Sequence, residues 1–322
     1  MKVGITGASG FIGSHLLQEF QRRNWPIRVL QHQSSIPGDI PCEVVTGDIR
    51  VPGTLQKFME GLDMVFHLAA ALGASLIPDE EFARINTWGT KNVLKAAKAA
   101  GVQRVVYFSS AGVLGAVTRG DVAEEEYPPQ PKSVYDRTKL RAEKIARQHA
   151  KKGMEVITVR PGWVYGPGDR RTFKLIRAIA RGRFILVTQG EAKQTPVHID
   201  DLVPGALLCA EKGKAGEIYH IAGNEVLSVR QIVDTIALAL GRRLPRWNLP
   251  LFPAKMAAQI LDKAFRLFRR EAPLTPGKLA FFIHPKPLSI LKAKEDLGFS
   301  PRTDFKTGMT QTVAWYRDQG WL

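Results

Sequence analysis

The chain has 322 residues, a formal net charge of +16, ordinary hydrophobic (44%) and charged (24%) fractions, and two cysteines. This length allows one large core or a core with a smaller lobe, no apolar run reaches the roughly 18 residues of a membrane span, and Cys42 and Cys209 match neither a metal-ligand spacing nor a disulfide framework. The positive charge suits any anionic ligand, but without zinc-finger spacing, an RNP-like strand or a basic heptad region, nucleic acid is not expected as a partner.

A strand opens almost at once at Val3, with no charged region, apolar core and cleavage site ahead of it, so the cytoplasm is the expected compartment. The stretch VGITGASGFIGSHL from Val3 to Leu16 is an apolar strand, then Gly7, Gly10 and Gly13 at three-residue spacing, then an amphipathic helix. Glycines there allow a tight turn and a close backbone approach to a pyrophosphate, and the helix start offers unpaired N–H groups to its charge. Strand, triplet and helix at the head of a βαβ unit is a far stronger signal than the triplet alone.

Further strands are expected near Ile27, Glu43, Met64, Val105 and Glu155, alternating with helices such as Phe11 to Arg23 and Thr87 to Ala100, the latter stopped by Gly101. This is the order of a doubly wound parallel sheet. The second strand ends Leu30-Gln31-His32-Gln33 and lacks the carboxylate that accepts from the ribose 2′-hydroxyl in NAD enzymes, which favours NADP over NAD, although His32 is a weak substitute for Arg. Asp48, in the turn Gly47-Asp48-Ile49, reads either as an adenine contact or as a turn residue.

Two later segments carry chemistry. Phe108-Ser109-Ser110 ends an apolar strand, which would present a hydroxyl at the carboxyl edge of the sheet. Tyr135 and Lys139 stand four apart at the start of a helix, so a cation can lie beside a phenol whose unperturbed pKa is near 10 and ready it for proton exchange. Ser110 would then hydrogen-bond the substrate oxygen while Tyr135 gives or takes the proton.

From about Pro167 the alternation fades, and only Glu217 to Ile221 reads as a strand returning to the sheet. The expected division is a dinucleotide-binding domain over 1–166, with the return strand at 217–221, and a substrate lobe over 167–322. Trp247 to Phe268, followed by Arg269-Arg270, is apolar and basic together: it reads as an amphipathic helix over a lipophilic pocket or on an anionic membrane, or as a core-facing helix with solvated cations. His198 and His220 lie in strand-like runs and read as structural; Asp200 and Asp201 read as an acid pair or, better, as containing a helix cap.

The motifs TGASGFIG, HLAA (His67 to Ala70), Asn86 with Gly89-Thr90-Lys91-Asn92-Val93, FSSAGVLG, YDRTKLRAE, RPGWVYGPGD (Arg160 to Asp169), VHIDDL and LGFSP occur in one order. In this the sequence resembles the extended short-chain dehydrogenase/reductases, the NAD-dependent epimerase/dehydratase family, nearest its 3β-hydroxysteroid dehydrogenase-like and dihydroflavonol reductase-like branches. The resemblance implies a Rossmann-like α/β fold with a smaller, mostly helical substrate lobe, catalysis by Ser110, Tyr135 and Lys139, and NADP or NAD held by Gly7, Ser9, Gly10, Phe11, Ile12, Gly13, Gln31, His32, Asp48, Ile49, Leu68, Ala69, Ala70, Asn86, Tyr135, Lys139, Pro161, Gly162 and Val164. No metal is expected. A homodimer is expected by analogy.

Departures narrow the substrate. Dehydratases of the family carry an Asp-Glu pair where this chain has Ala111 and Gly112; members that bind nucleotide sugars carry Asn at the position of Trp163 and Arg at that of Gln194. With Ala111, Gly112, Trp163 and Gln194 lining the substrate side, a lipophilic ligand is expected, sterol-like, flavonol-like or a long-chain 3-keto or 3-hydroxy acid, its secondary alcohol and ketone interconverted by hydride transfer. The rival readings are a nucleotide-sugar C4 epimerase and a non-catalytic nicotinamide-sensing module.

Overall fold

The computed structural model describes residues 1–36, 38–72, 77–245, 247–268 and 272–322, with the Arg266 side chain outside the description. Strands β1 (Val3–Thr6), β2 (Ile27–Gln31), β3 (Glu43–Thr46), β4 (Met64–His67), β5 (Arg104–Phe108) and β6 (Glu155–Pro161) alternate with helices α1 (Phe11–Arg22), α2 (Leu55–Met59), α3 (Asp79–Phe82), α4 (Thr90–Ala99) and α5 (Val134–Ala150). There follow β7 (Trp163–Tyr165), α6 (Arg170–Ala180), β8 (Lys193–Gln194), β9 (Pro196–His198), α7 (Ile199–Lys212), β10 (Ile218–Ile221), β11 (Leu227–Ser228), α8 (Val229–Leu240), α9 (Leu251–Leu267), α10 (Pro276–Ile283), α11 (Leu291–Leu297) and α12 (Phe305–Asp318).

Seven strands pair in parallel in the order β3-β2-β1-β4-β5-β6-β10. The central strands are short apolar runs because both faces are covered: all four residues of β1 and of β4 are buried, whereas the edge strand β3 shows three of its four to solvent. One face packs on α1 and α7 through Leu16, Leu17, Phe20, Leu202 and Ala206, the other on α2, α4 and α5 through Phe58, Val93, Leu94, Ala142 and Ala146. This is the doubly wound, Rossmann-like arrangement expected from the alternation of elements, and the chain order reverses between β1 and β4, opening a crevice at their carboxyl ends.

A third core, built from Tyr165, Ile176, Phe184, Ile232, Ile236, Phe305, Met309 and Tyr316, gathers α6, α8 and α12 beside that crevice. A smaller cluster of Val187, Ala254, Ala258 and Leu279 joins α9 and α10. The expected strand Glu217 to Ile221 is β10, paired with β6 at the sheet edge.

Three local expectations change. The helix expected from Thr87 begins at Asp79 and passes through a widened turn, Ala83–Gly89, before α4; periodicity detects only the part whose Val93, Leu94 and Ala97 pack on the sheet. Neither Asp200 nor Asp201 caps α7, because the His198 imidazole accepts from the Asp200 backbone N–H while the Asp201 carboxylate accepts from the backbone N–H groups of Arg302 and Thr303. The helix expected over Trp247 to Phe268 spans Leu251–Leu267, and Arg269 and Arg270 lie outside the described residues.

Candidate active site

The glycines of the first turn are required by contact. Gly7 has φ +78° and a Cβ there would stand 2.6 Å from the Ala69 nitrogen; at Gly13 it would stand 2.2 Å from the Gly7 carbonyl oxygen. The turn is therefore packed as closely as backbone permits, with α1 drawn against β1. Gly10 caps α1 without any side-chain hydrogen bond, and Ser9 and Gly10 are exposed while Phe11 and Ile12 are half-buried. The leading N–H groups of α1 are thus not engaged by a capping side chain, which fits a pyrophosphate. Leu68, Ala69 and Ala70 form the opposite lip of the crevice, tied to β1 by Leu68 N–H to the Thr6 carbonyl (3.1 Å) and Ala69 N–H to the Thr6 hydroxyl (3.2 Å).

A buried polar chain runs from this lip to α5. Because the Thr90 hydroxyl donates to the Asn86 carbonyl (2.7 Å), its oxygen accepts from His67 Nε2 (2.9 Å), and His67 Nδ1 accepts from the Thr6 hydroxyl (2.7 Å). Burial, reinforced by the Lys139 cation, pulls the His67 imidazole down to about 3, so it is neutral at physiological pH. The Asn86 amide spans Ala71, accepting from its N–H (2.8 Å) and donating to its carbonyl (3.1 Å), and donates also to Thr138 Oγ1 (3.1 Å); Thr138 in turn donates to the Tyr135 carbonyl (2.8 Å). The turn that carries Tyr135 is thereby fixed against the crevice wall.

Ser110, Tyr135 and Lys139 converge where β5 and α5 meet. Ser133 and Asp136 form a reciprocal cap that starts α5 one residue before Tyr135. Ser110 accepts from the Gly112 N–H (3.0 Å), and its hydroxyl lies near enough to the Tyr135 phenol to favour the charged form. Burial pushes that phenol above its ordinary range, opposed by the Arg171 cation and the Ser110 hydroxyl. The Lys139 ammonium donates to the Phe108 carbonyl (2.5 Å) and lies 4.5 Å from the centre of the Tyr107 ring; no hydrogen bond joins it to the Tyr135 hydroxyl among the described residues. Burial lowers the ammonium to about 7, partly offset by Glu143 one helical turn further on. Glu143 itself forms a buried two-point ion pair with Arg160 of β6 (2.9 and 2.7 Å), and Arg160 also donates to the Glu125 carbonyl (2.9 Å).

At the end of β2, Gln31 is half-buried and His32 exposed. The Asp48 carboxylate accepts from the Arg50 N–H (2.8 Å) and guanidinium (2.6 Å) and lies 3.3 Å from His32 Nε2, while Arg50 also reaches Glu81 (3.0 Å). Asp48 is thus the first residue of an Asx turn and an ion-pair partner, with Ile49 buried behind it.

Of the residues expected to meet substrate, Ala111 is buried, and a Cβ at Gly112 would stand 2.0 Å from Asp136 Oδ1, so Gly112 lets the cap of α5 close over the strand end. Gly162 is similarly confined by the Thr195 carbonyl (2.3 Å), between buried Pro161 and half-buried Val164. Trp163 stands in an aromatic wall with Phe281 (5.0 Å between centroids), Tyr165 (5.9 Å) and Phe305 (6.0 Å). Gln194 is buried and its amide donates to the Phe281 and His284 carbonyls (both 2.9 Å), which anchors α10 behind that wall.

Some participants carry no signal in the linear sequence. Thr6, Thr138 and Arg171 enter only through contacts between distant elements, and Arg50 lies outside the strand end where a cation was sought. His220 is buried, with Nδ1 3.2 Å from the Ser289 carbonyl and its own N–H donating to Glu125; burial brings its imidazole to about 3. Among the described residues no cluster of three or more His, Cys, Asp or Glu is placed to hold a metal ion.

Residues 3–222 match the model of the NAD dependent epimerase/dehydratase family. A 4-hydroxy-2-methyl-3-oxo-4-farnesyl-3,4-dihydroquinoline-1-oxide ketoreductase of Stigmatella aurantiaca is 30% identical, with 96% of this chain and 95% of the relative covered. A 3-beta-hydroxysteroid dehydrogenase of Mycolicibacterium neoaurum is 29% identical over 98% of this chain and 92% of the relative. The crystal structure of the dTDP-glucose 4,6-dehydratase DesIV of Streptomyces venezuelae, with NAD and TYD bound, superposes with a TM-score of 0.80 at 26% identity, covering 100% of this chain and 98% of that one. The glycine turn, the Ser-Tyr-Lys constellation and a family match across more than half the sequence lead to one conclusion: the chain is an enzyme of the NAD dependent epimerase/dehydratase family.

Proposed function

We propose that the protein is a nicotinamide-dependent oxidoreductase that interconverts a secondary alcohol and a ketone on a lipophilic substrate. The observation that carries this reading is the set of residues at the positions expected to meet substrate: Trp163 packs with Phe281 in an aromatic cluster, and Ala111 and Gly112, directly after Ser110, stand where an acid pair would be needed for dehydration. The farnesylated-quinoline ketoreductase and the hydroxysteroid dehydrogenase support it as relatives named for apolar substrates. The structural likeness to a dTDP-glucose 4,6-dehydratase supports the fold without choosing the substrate.

The nicotinamide supplies or accepts the hydride when bound. This chain's own residues supply the rest. The Ser110 hydroxyl holds the substrate oxygen, and the Tyr135 phenol beside it gives its proton to that oxygen as the carbonyl is reduced or removes one as the alcohol is oxidised. Lys139, lowered to about 7 and held at Phe108, provides the nearby adjustable positive charge. We infer NADP as the preferred cofactor: β2 ends without a carboxylate, and the charge of Asp48 is taken up by Arg50.

Tyr135→Phe tests the reading. Turnover of a lipophilic alcohol should fall about 10²–10⁴-fold while cofactor affinity, followed by fluorescence titration, changes little; unchanged turnover would remove Tyr135 from the chemistry.

A further inference from the structure

Helix α9 is apolar on two opposite faces. With about 100° between successive residues, Ala254, Ala258, Leu261 and Phe265 fall on one side, and Ala254 and Ala258 are fully buried against Val187 and Leu279. Phe252, Met256, Ile260 and Leu267 fall on the other, roughly 160° away, and are 76%, 45%, 60% and 81% exposed. Trp247 before the helix and Phe268 after it are exposed as well. Single exposed apolar residues are ordinary on a protein surface; a helical stripe four turns long is not.

The helix also carries exposed cations: by the same rotation Lys263 falls within the stripe and Lys255 about 100° from its centre, both exposed, on a chain with net charge +16. A second copy docking through this face by two-fold symmetry would bring the same cations opposite one another. An anionic bilayer matches both components: its acyl boundary takes the apolar stripe and its headgroups take the lysines. The position adds a use, since α9 packs on α10, whose Phe281 forms the site wall with Trp163, and the Lys255 charge is felt at His284 at the end of α10.

We propose that the outer face of α9 docks the enzyme on the surface of anionic membranes, through Phe252, Met256, Ile260 and Leu267 with Lys255 and Lys263. Delivery of a membrane-dissolved substrate is the purpose this would serve and rests on the lipophilic reading above; the docking itself does not.

The test separates the two. Full-length protein without cofactor or substrate is sedimented with phosphatidylglycerol-containing vesicles and with pure phosphatidylcholine vesicles, and compared with Phe252→Ser/Ile260→Ser and Lys255→Glu/Lys263→Glu. Wild type should bind the anionic vesicles at least tenfold better than the neutral ones and lose that binding in high salt; each double variant should bind at least tenfold less. Both sites are exposed, so their melting temperatures should match wild type, and if one variant fails to fold the other carries the test. Wild type left in the supernatant would overturn the proposal, as would undiminished binding by both variants. So would a dimer in sedimentation velocity that Phe252→Ser/Ile260→Ser dissociates, since the stripe would then be a subunit interface. Alcohol oxidation on a detergent-dispersed substrate is measured separately, and its absence would count against the proposed reaction while leaving vesicle binding intact.

Discussion

At Lys139 a full burial and a single acceptor act against each other. Its ammonium sits on the Phe108 carbonyl, yet burial lowers it to about 7 from an unfolded value near 10.4. A depressed pKa in the folded state means that the unfolded chain binds the proton more readily, so the stability associated with neutral Lys139 is present above about pH 10 and is lost as pH falls through 7. Lys139→Met should therefore gain stability relative to wild type as pH drops from 10 to 7, read as the difference in urea midpoints of the cofactor-free proteins, and should lose turnover when cofactor and substrate are supplied. A constant difference across that range would mean that Lys139 is not desolvated. The strand end at Gln31 allows a second substitution. Gln31→Asp places a carboxylate where a ribose hydroxyl would donate to it and should shift the ratio of kcat/KM values towards NAD by about tenfold, measured with both cofactors on one substrate; an unchanged ratio would place the ribose elsewhere.

Among the elements, α5 holds the site together: its first turn carries Tyr135, its second Lys139 and its third Glu143, all facing the sheet. The Glu143–Arg160 pair is almost fully buried and couples α5 to β6 and the Glu125 loop. Removing one charge from such a pair leaves the other uncompensated, so Glu143→Gln should lower unfolding stability by about 3–5 kcal/mol, measured by chemical denaturation, and should lower kcat with it; a loss under about 1 kcal/mol would show that Arg160 finds another partner. Little of this was legible in the sequence. The Gly7, Gly10 and Gly13 turn, the seven strands and the four-residue spacing of Tyr135 and Lys139 are local patterns, and hydrophobic periodicity or chain order exposes them. The Phe108 carbonyl as the seat of Lys139, the wide turn before α4, and the tie from Gln194 to α10 depend on which elements meet in three dimensions. The same holds for His198, which displaced an aspartate as the cap of α7 because Asp201 was drawn to Arg302 and Thr303, about a hundred residues away.

Over the whole molecule, the parallel sheet presents one carboxyl edge, and a separate core rich in aromatic residues gathers α6, α8 and α12. The fold alone serves epimerases, dehydratases and reductases, so the outcome of the hydride transfer distinguishes them: an epimerase returns the hydride within one turnover, and a dehydrogenase leaves the nicotinamide reduced. The most direct measurement is the absorbance of reduced nicotinamide when purified enzyme is given NADP or NAD with hydroxysteroids, flavonols, long-chain 3-hydroxy acids and nucleotide sugars in parallel. We expect stoichiometric, net reduction with a lipophilic secondary alcohol and none with the sugars; turnover of a nucleotide sugar without accumulation of reduced cofactor would contradict it and make the protein an epimerase.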